Sequence, residues 1–143
     1  DYDCLSYKPD VVSILIGSND AAVCMNTGRT LEATGFAENY RCLLGRIQEK
    51  TEARLVCMGP FIFPQPLEYS RWIPIIRKIE ETEQRIAGEH HALFLPLHDL
   101  LNQEAQRAGY DGITPDGIHL TWEGAGVVAR TWIREVDRAG IFS

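Results

Sequence analysis

The chain of 143 residues contains no apolar run approaching the ~18 residues that a membrane-spanning helix needs. It has no run of Lys and Arg forming a basic stripe. With a formal charge of -6 and a pI near 5.2, nucleic acid is excluded as its main partner. Its four cysteines, Cys4, Cys24, Cys42 and Cys57, form no C-x-x-C pair and no Cys/His cluster. Cys42 falls on the apolar side of a helical pattern and Cys57 inside an apolar strand, so they read as small buried hydrophobes rather than a disulfide or metal set. Free thiols of this kind lean towards a reducing compartment. No glycine-rich phosphate loop follows a strand, no repeat or low-complexity tract is present, and no metal or organic cofactor is indicated. The five serines, Ser6, Ser13, Ser18, Ser70 and Ser143, include none in a Gly-x-Ser-x-Gly or Gly-Asp-Ser setting, so no serine nucleophile is recognisable.

What is present is an ordinary globular composition, 45% hydrophobic and 24% charged, long enough for one domain. Residues 1–7 read as the tail of a helix stopped before Pro9. Val11 to Ile16, Leu55 to Met58 and Ala92 to Leu95 are short, nearly continuous apolar runs, the pattern of strands covered on both faces. The first ends at Gly17-Ser18-Asn19-Asp20, followed by a loop through Met25, Asn26 and Gly28. Between the strands, Phe36, Tyr40, Leu43, Leu44 and Ile47 form one apolar helical stripe, and Trp72, Ile75, Ile76, Ile79 and Ile86 form another. Pro74 is tolerated in that second helix's first turn. Phe61 to Pro66 is an apolar loop punctuated by proline. Leu97, Leu100, Leu101, Ala105 and Ala108 mark a short helix ended by Gly109. Thr121 is a good N-cap for the last helix, whose stripe runs Ala125, Val128, Ala129, Trp132, Ile133 and Val136 up to Gly140. Short buried strands alternating with amphipathic helices predict a parallel sheet in a three-layer α/β/α sandwich, with ligands bound beyond the carboxyl ends of the strands.

The segment Thr114 to Trp122 carries the chemistry. Pro115 and Gly117 make it a loop, and a loop that bends back lets the Asp116 carboxylate reach a ring nitrogen of His119. Such a contact fixes the tautomer, leaves the other nitrogen free to take a proton, and stabilises the imidazolium. The remaining histidines, His90, His91 and His98, lie at helix ends and loops without metal-ligand spacing and read as surface or capping residues.

Gly17-Ser18-Asn19-Asp20 after a buried strand, and Asp116-Gly117-Ile118-His119 before the final helix, resemble the third and fifth conserved blocks of the SGNH (GDSL-type) hydrolases. The run Lys8-Pro9-Asp10-Val11-Val12 is similar to that family too. The resemblance implies a flavodoxin-like α/β/α fold and an ester hydrolase acting on small-molecule acyl or acetyl esters. It further implies that Asn19 donates to an oxyanion, His119 is the general base, Asp116 its orienting acid, and Gly17 the glycine of the tight strand exit. Gly17, Ser18 and Asp20 then border the substrate.

Two blocks of that family are absent: the Gly-Asp-Ser segment with the nucleophile, and the glycine that supplies a second oxyanion donor. The chain is therefore expected to be the C-terminal two-thirds of one domain, residues 1–143, N-terminally truncated, with its serine elsewhere and inactive alone. Without its neighbour, Val11 to Ile16 becomes an apolar edge inviting self-association. Taken singly, each motif has a plainer reading, an Asx-type turn or a turn with a solvated histidine. The alternative function is accordingly a non-catalytic α/β module that needs a partner segment to fold.

Overall fold

A computed structural model of the chain describes residues 3–142. Three strands, β1 (Val11–Leu15), β2 (Arg54–Met58) and β3 (Leu93–Leu95), form a parallel sheet in that order. Ile14 stands opposite Cys57, and Cys57 opposite Phe94. Because all strands run the same way, their carboxyl ends share one edge, and the turns leaving them define the rim on which function is sought.

Helices cover both faces. On one lie α1 (Ser18–Thr27), α2 (Leu31–Thr34), α3 (Phe36–Lys50) and α4 (Ile73–Glu89). Their apolar sides pack with Ile14, Leu55 and Cys57 in one core that includes Tyr40, Leu44, Ile79 and Ile86. On the other face lie α5 (His98–Ala108), α6 (Tyr110–Ile113) and α7 (Trp122–Arg138). There Leu101, Ala105, Ile113 and Val136 pack with Val56, Met58 and Leu95. Burying each large aliphatic side chain is worth about 1.5–3 kcal/mol. Half-exposed ion pairs such as Arg77–Asp99 contribute at most ~1 kcal/mol, so the two cores decide the fold.

The structure departs from the sequence reading in several places. Residues 18–27 are a helix, not a loop: Gly17 at φ +103 turns into it, Gly28 at φ +70 closes it, and Asp20 complements its dipole. Only Ala21 and Cys24 of α1 are buried, a strip too narrow to register as a periodic pattern. The expected helix tail before Pro9 is a single 3-10 turn, Leu5–Tyr7, and Asp1 and Tyr2 lie outside the described residues. β1 is an edge strand and less covered than expected: Ile14 is buried and Val11 and Val12 pack into the two cores, while Leu15 and Ile16 are about 40% exposed. Cys42 and Leu43 face solvent, because the buried line of α3 runs through Phe36, Tyr40, Leu44 and Ile47. Ile133 is also exposed. Next to it, the Trp132 indole donates to Ser13 Oγ at 2.9 Å, tying α7 to β1. Thr121 caps α7 as expected, its hydroxyl accepting from Gly124 N–H at 3.1 Å. Among the described residues no helix is long and apolar enough to cross a membrane.

Candidate active site

Asp116 and His119 meet at the rim. His119 Nδ1 lies 2.6 Å from Asp116 Oδ2. The other carboxylate oxygen, Oδ1, accepts the backbone N–H of His119 at 2.8 Å and that of Ile118 at 2.9 Å. The acid thus organises its own loop and the imidazole together. These donors, led by the His119 N–H and then its ring, hold the Asp116 carboxyl down to about 2, well below the ordinary carboxylate range. Both side chains are open to solvent, His119 by 76% and Asp116 by 47%, so Nε2 faces outward rather than into a packed core.

One hydroxyl closes the loop. Thr114 Oγ1 donates to the His119 carbonyl at 2.6 Å and accepts from Gly117 N–H at 2.8 Å. The loop then docks on the segment leaving β2: Phe63 N–H donates to Gly117 O at 2.9 Å. Gly117 sits at φ +87, and a Cβ there would lie 2.0 Å from the Gln65 carbonyl oxygen. Gly117→Ala should therefore destabilise the fold by about 3 kcal/mol, combining left-handed strain with overpacking. Gly112→Ala, where a Cβ meets open space, should change stability by under ~1 kcal/mol. Urea denaturation of the two variants checks the contrast.

A cleft of about 250 Å³ runs beside Asp116 and Gly117, with Gln65, Pro66, Tyr110 and Asp111 on its other walls. Phe61, Ile62 and Phe63 are buried, so the front of this loop packs inward and only its end reaches the cleft.

Gly17 and Asn19 occupy the same edge of the sheet, at the exit of β1. Gly17 is buried and backs onto Pro60, just past β2; a Cβ on it would approach the Pro60 ring at 3.1 Å and Ile79 at 2.8 Å. Ser18, Asn19 and Asp20 form the first turn of α1, with Asn19 exposed. Among the described residues no hydrogen bond joins Asn19 to Asp116 or His119. The structure thus pairs Asp116 with His119 directly and places Asn19 at the exit of β1.

A model of the GDSL-like lipase/acylhydrolase family matches residues 1–127. The chain belongs to that family. An acetylxylan esterase of Geobacillus stearothermophilus is 24% identical over 140 residues, which are 94% of this chain and 62% of that protein. Among solved structures, a GDSL-like lipase from Parabacteroides merdae superposes with a TM-score of 0.84 at 26% identity, over 94% of this chain and 63% of that one. An α/β hydrolase from the metagenome of Lake Arreo shares the fold, with a TM-score of 0.78 at 18% identity, over 94% and 63%. The chain therefore spans less than two-thirds of the length of these relatives. The family resemblance read from the two motifs, and the parallel α/β architecture read from the alternation of strands and helices, agree with this family.

His98 is where the sequence reading fails. It is 2% exposed rather than on the surface. Burial, and then the Arg77 charge, push its ring below the ordinary histidine value, favouring the uncharged form. Its partner, the Ile62 N–H, is 36 residues away in sequence, and no local pattern signals a contact at that distance.

Proposed function

We propose that this chain carries the base, acid and one oxyanion donor of a serine ester hydrolase acting on acetyl or other short acyl esters. The serine comes from a segment outside it. The observation that carries the reading is the 2.6 Å contact between His119 Nδ1 and the Asp116 carboxylate in a chain of this family. In the proposed reaction the serine oxygen attacks the ester carbonyl while His119 Nε2 takes its proton. Asn19 donates to the oxygen that becomes negative, with Gly17, Ser18 and Asp20 bordering the acyl group. Collapse expels the alcohol, which recovers the proton from Nε2, and water then releases the acyl group by the same steps.

The acetylxylan esterase relative supports the acetyl class. Solved structures of that esterase include catalytic mutants with a serine, an aspartate or a histidine replaced by alanine. Its aspartate precedes its histidine by three residues, the spacing of Asp116 and His119 here. Among the described residues, Ser13 is held by Trp132 and Ser18 belongs to the first turn of α1, and neither sits in a Gly-Asp-Ser setting.

The second reading is a non-catalytic module completed by a partner strand, favoured by the exposed apolar edge at Leu15 and Ile16. Hydrolysis of p-nitrophenyl acetate separates the two. The chain alone should give no turnover and should sediment as a self-associating species through β1. The complete domain, with its Gly-Asp-Ser segment, should turn over. Turnover by the chain alone would place the nucleophile inside it. A folded but inactive complete domain would leave only the module.

A further inference from the structure

The loop bearing Asp116 and His119 rests on Phe61–Pro66, and α5 grips that seat from behind. Phe63 N–H donates to Gly117 O at 2.9 Å. One residue earlier, both backbone groups of Ile62 are held by side chains of α5. Ile62 N–H donates to His98 Nδ1 at 3.4 Å, and Ile62 O accepts from Asn102 Nδ2 at 3.0 Å. Asn102 also donates to the His98 carbonyl at 2.9 Å, which locks the two grips together one helical turn apart. The grip is itself anchored, because His98 N–H donates to Glu80 Oε2 at 3.3 Å. The Glu80 carboxylate lies against Gly59 at the exit of β2, in space that a Cβ there would fill. The His98 ring is buried, which favours its uncharged form, and the Ile62 N–H directed at Nδ1 selects the tautomer that accepts there.

We propose that His98 and Asn102 are positioning residues for the acid–base pair. By fixing Ile62 they set Phe63 and Gly117, and through them keep Asp116 closed on His119 Nδ1. Neither touches the pair directly. Its catalytic consequence rests on the role assigned to His119, but the positional claim stands apart from it. The plainer reading is that these bonds only satisfy the peptide groups of a buried loop. In that case, loosening them leaves the rim unchanged.

The test is nitrogen and amide-proton NMR of the complete domain and of three variants. Asn102→Asp keeps the shape and turns the donor into an acceptor facing the Ile62 carbonyl. His98→Leu removes the acceptor, and His98→Asn restores an oxygen near the Nδ1 position. Asn102→Asp and His98→Leu should speed exchange of the His119 Nδ1 proton and of the Ile118 and His119 amides by about tenfold or more. Amides of Val56 and Cys57 should hold, and His98→Asn should recover most of the effect. In the complete domain the same two variants should lower kcat about tenfold with little change in KM. Folded variants with unchanged His119 signals would overturn the proposal. Should His98→Leu fail to fold, Asn102→Asp, at a half-buried position, decides alone. Retained turnover in His119→Ala would instead overturn the role assigned to the base and leave the NMR result standing.

Discussion

On the proposed reaction, Asp116→Asn should lower kcat/KM for an acetyl ester by about 10³–10⁴-fold in the domain completed by its serine segment, while leaving the loop folded. The asymmetry of the carboxylate is the reason. Oδ1 holds the two backbone N–H groups of Ile118 and His119, and an amide oxygen can keep both. Oδ2 faces His119 Nδ1 at 2.6 Å, where the substitution places an NH₂ donor. The imidazole must then accept at Nδ1 and carry its proton on Nε2, the tautomer that cannot take a proton from serine. Since the Asp116 carboxyl is held to about 2, it stays ionised through the working range, so the deficit should persist across the pH profile. Its contribution to loop order is present above the ordinary carboxylate value and is lost only as pH falls through about 2. His119→Ala should be at least as damaging. A variant within about tenfold of the parent would remove the acid from the mechanism.

Glu83→Gln should abolish a pH-dependent loss of stability. Glu83 lies on the buried face of α4 with Ile76, Ile79 and Ile86, is fully buried, and neither carboxylate oxygen has a partner among the described residues. Burial first, then the negative charges of Glu80 and Asp20, raise its carboxyl to about 9. The unfolded chain releases that proton near 4.5, whereas the folded chain keeps it. Folding therefore takes up a proton across this window, and stability falls as pH rises from about 4.5 to about 9. At neutral pH the loss is on the order of 3 kcal/mol, taking 1.36 kcal/mol per pH unit above the unfolded value. Urea denaturation at pH 5 and pH 8 should show the parent losing stability and the Gln variant much less, the difference between the two curves isolating this group. Parallel curves would mean that Glu83 is hydrated or ionised in the fold.

Legibility from sequence followed the range of the interaction. The strands were readable because a parallel strand is apolar along its whole length, as Leu55 to Met58 shows. α3, α4 and α7 were readable because long apolar stripes repeat. α1 was not: turn-forming residues at both ends, and a buried strip of only Ala21 and Cys24, look like a loop. The contact between Asp116 and His119 was readable because it is local, three residues across a Pro/Gly-broken loop. His98 was not, because its burial depends on Ile62 from a distant loop. Glu83 lay within reach, since its spacing from Ile76, Ile79 and Ile86 puts it on the apolar face, where an ionisable residue signals an unusual environment.

The double role of Thr114, whose hydroxyl binds the loop at Gly117 and again at His119, has a consequence for how such a protein can diverge. Proton donor and acceptor arrive as one preassembled cartridge. Drift in the length of the preceding connection, or a tilt of α7, displaces both members as a unit. Selection can then reshape the outer surroundings without resetting the cartridge, so long as its seat on Ile62 and Phe63 is kept.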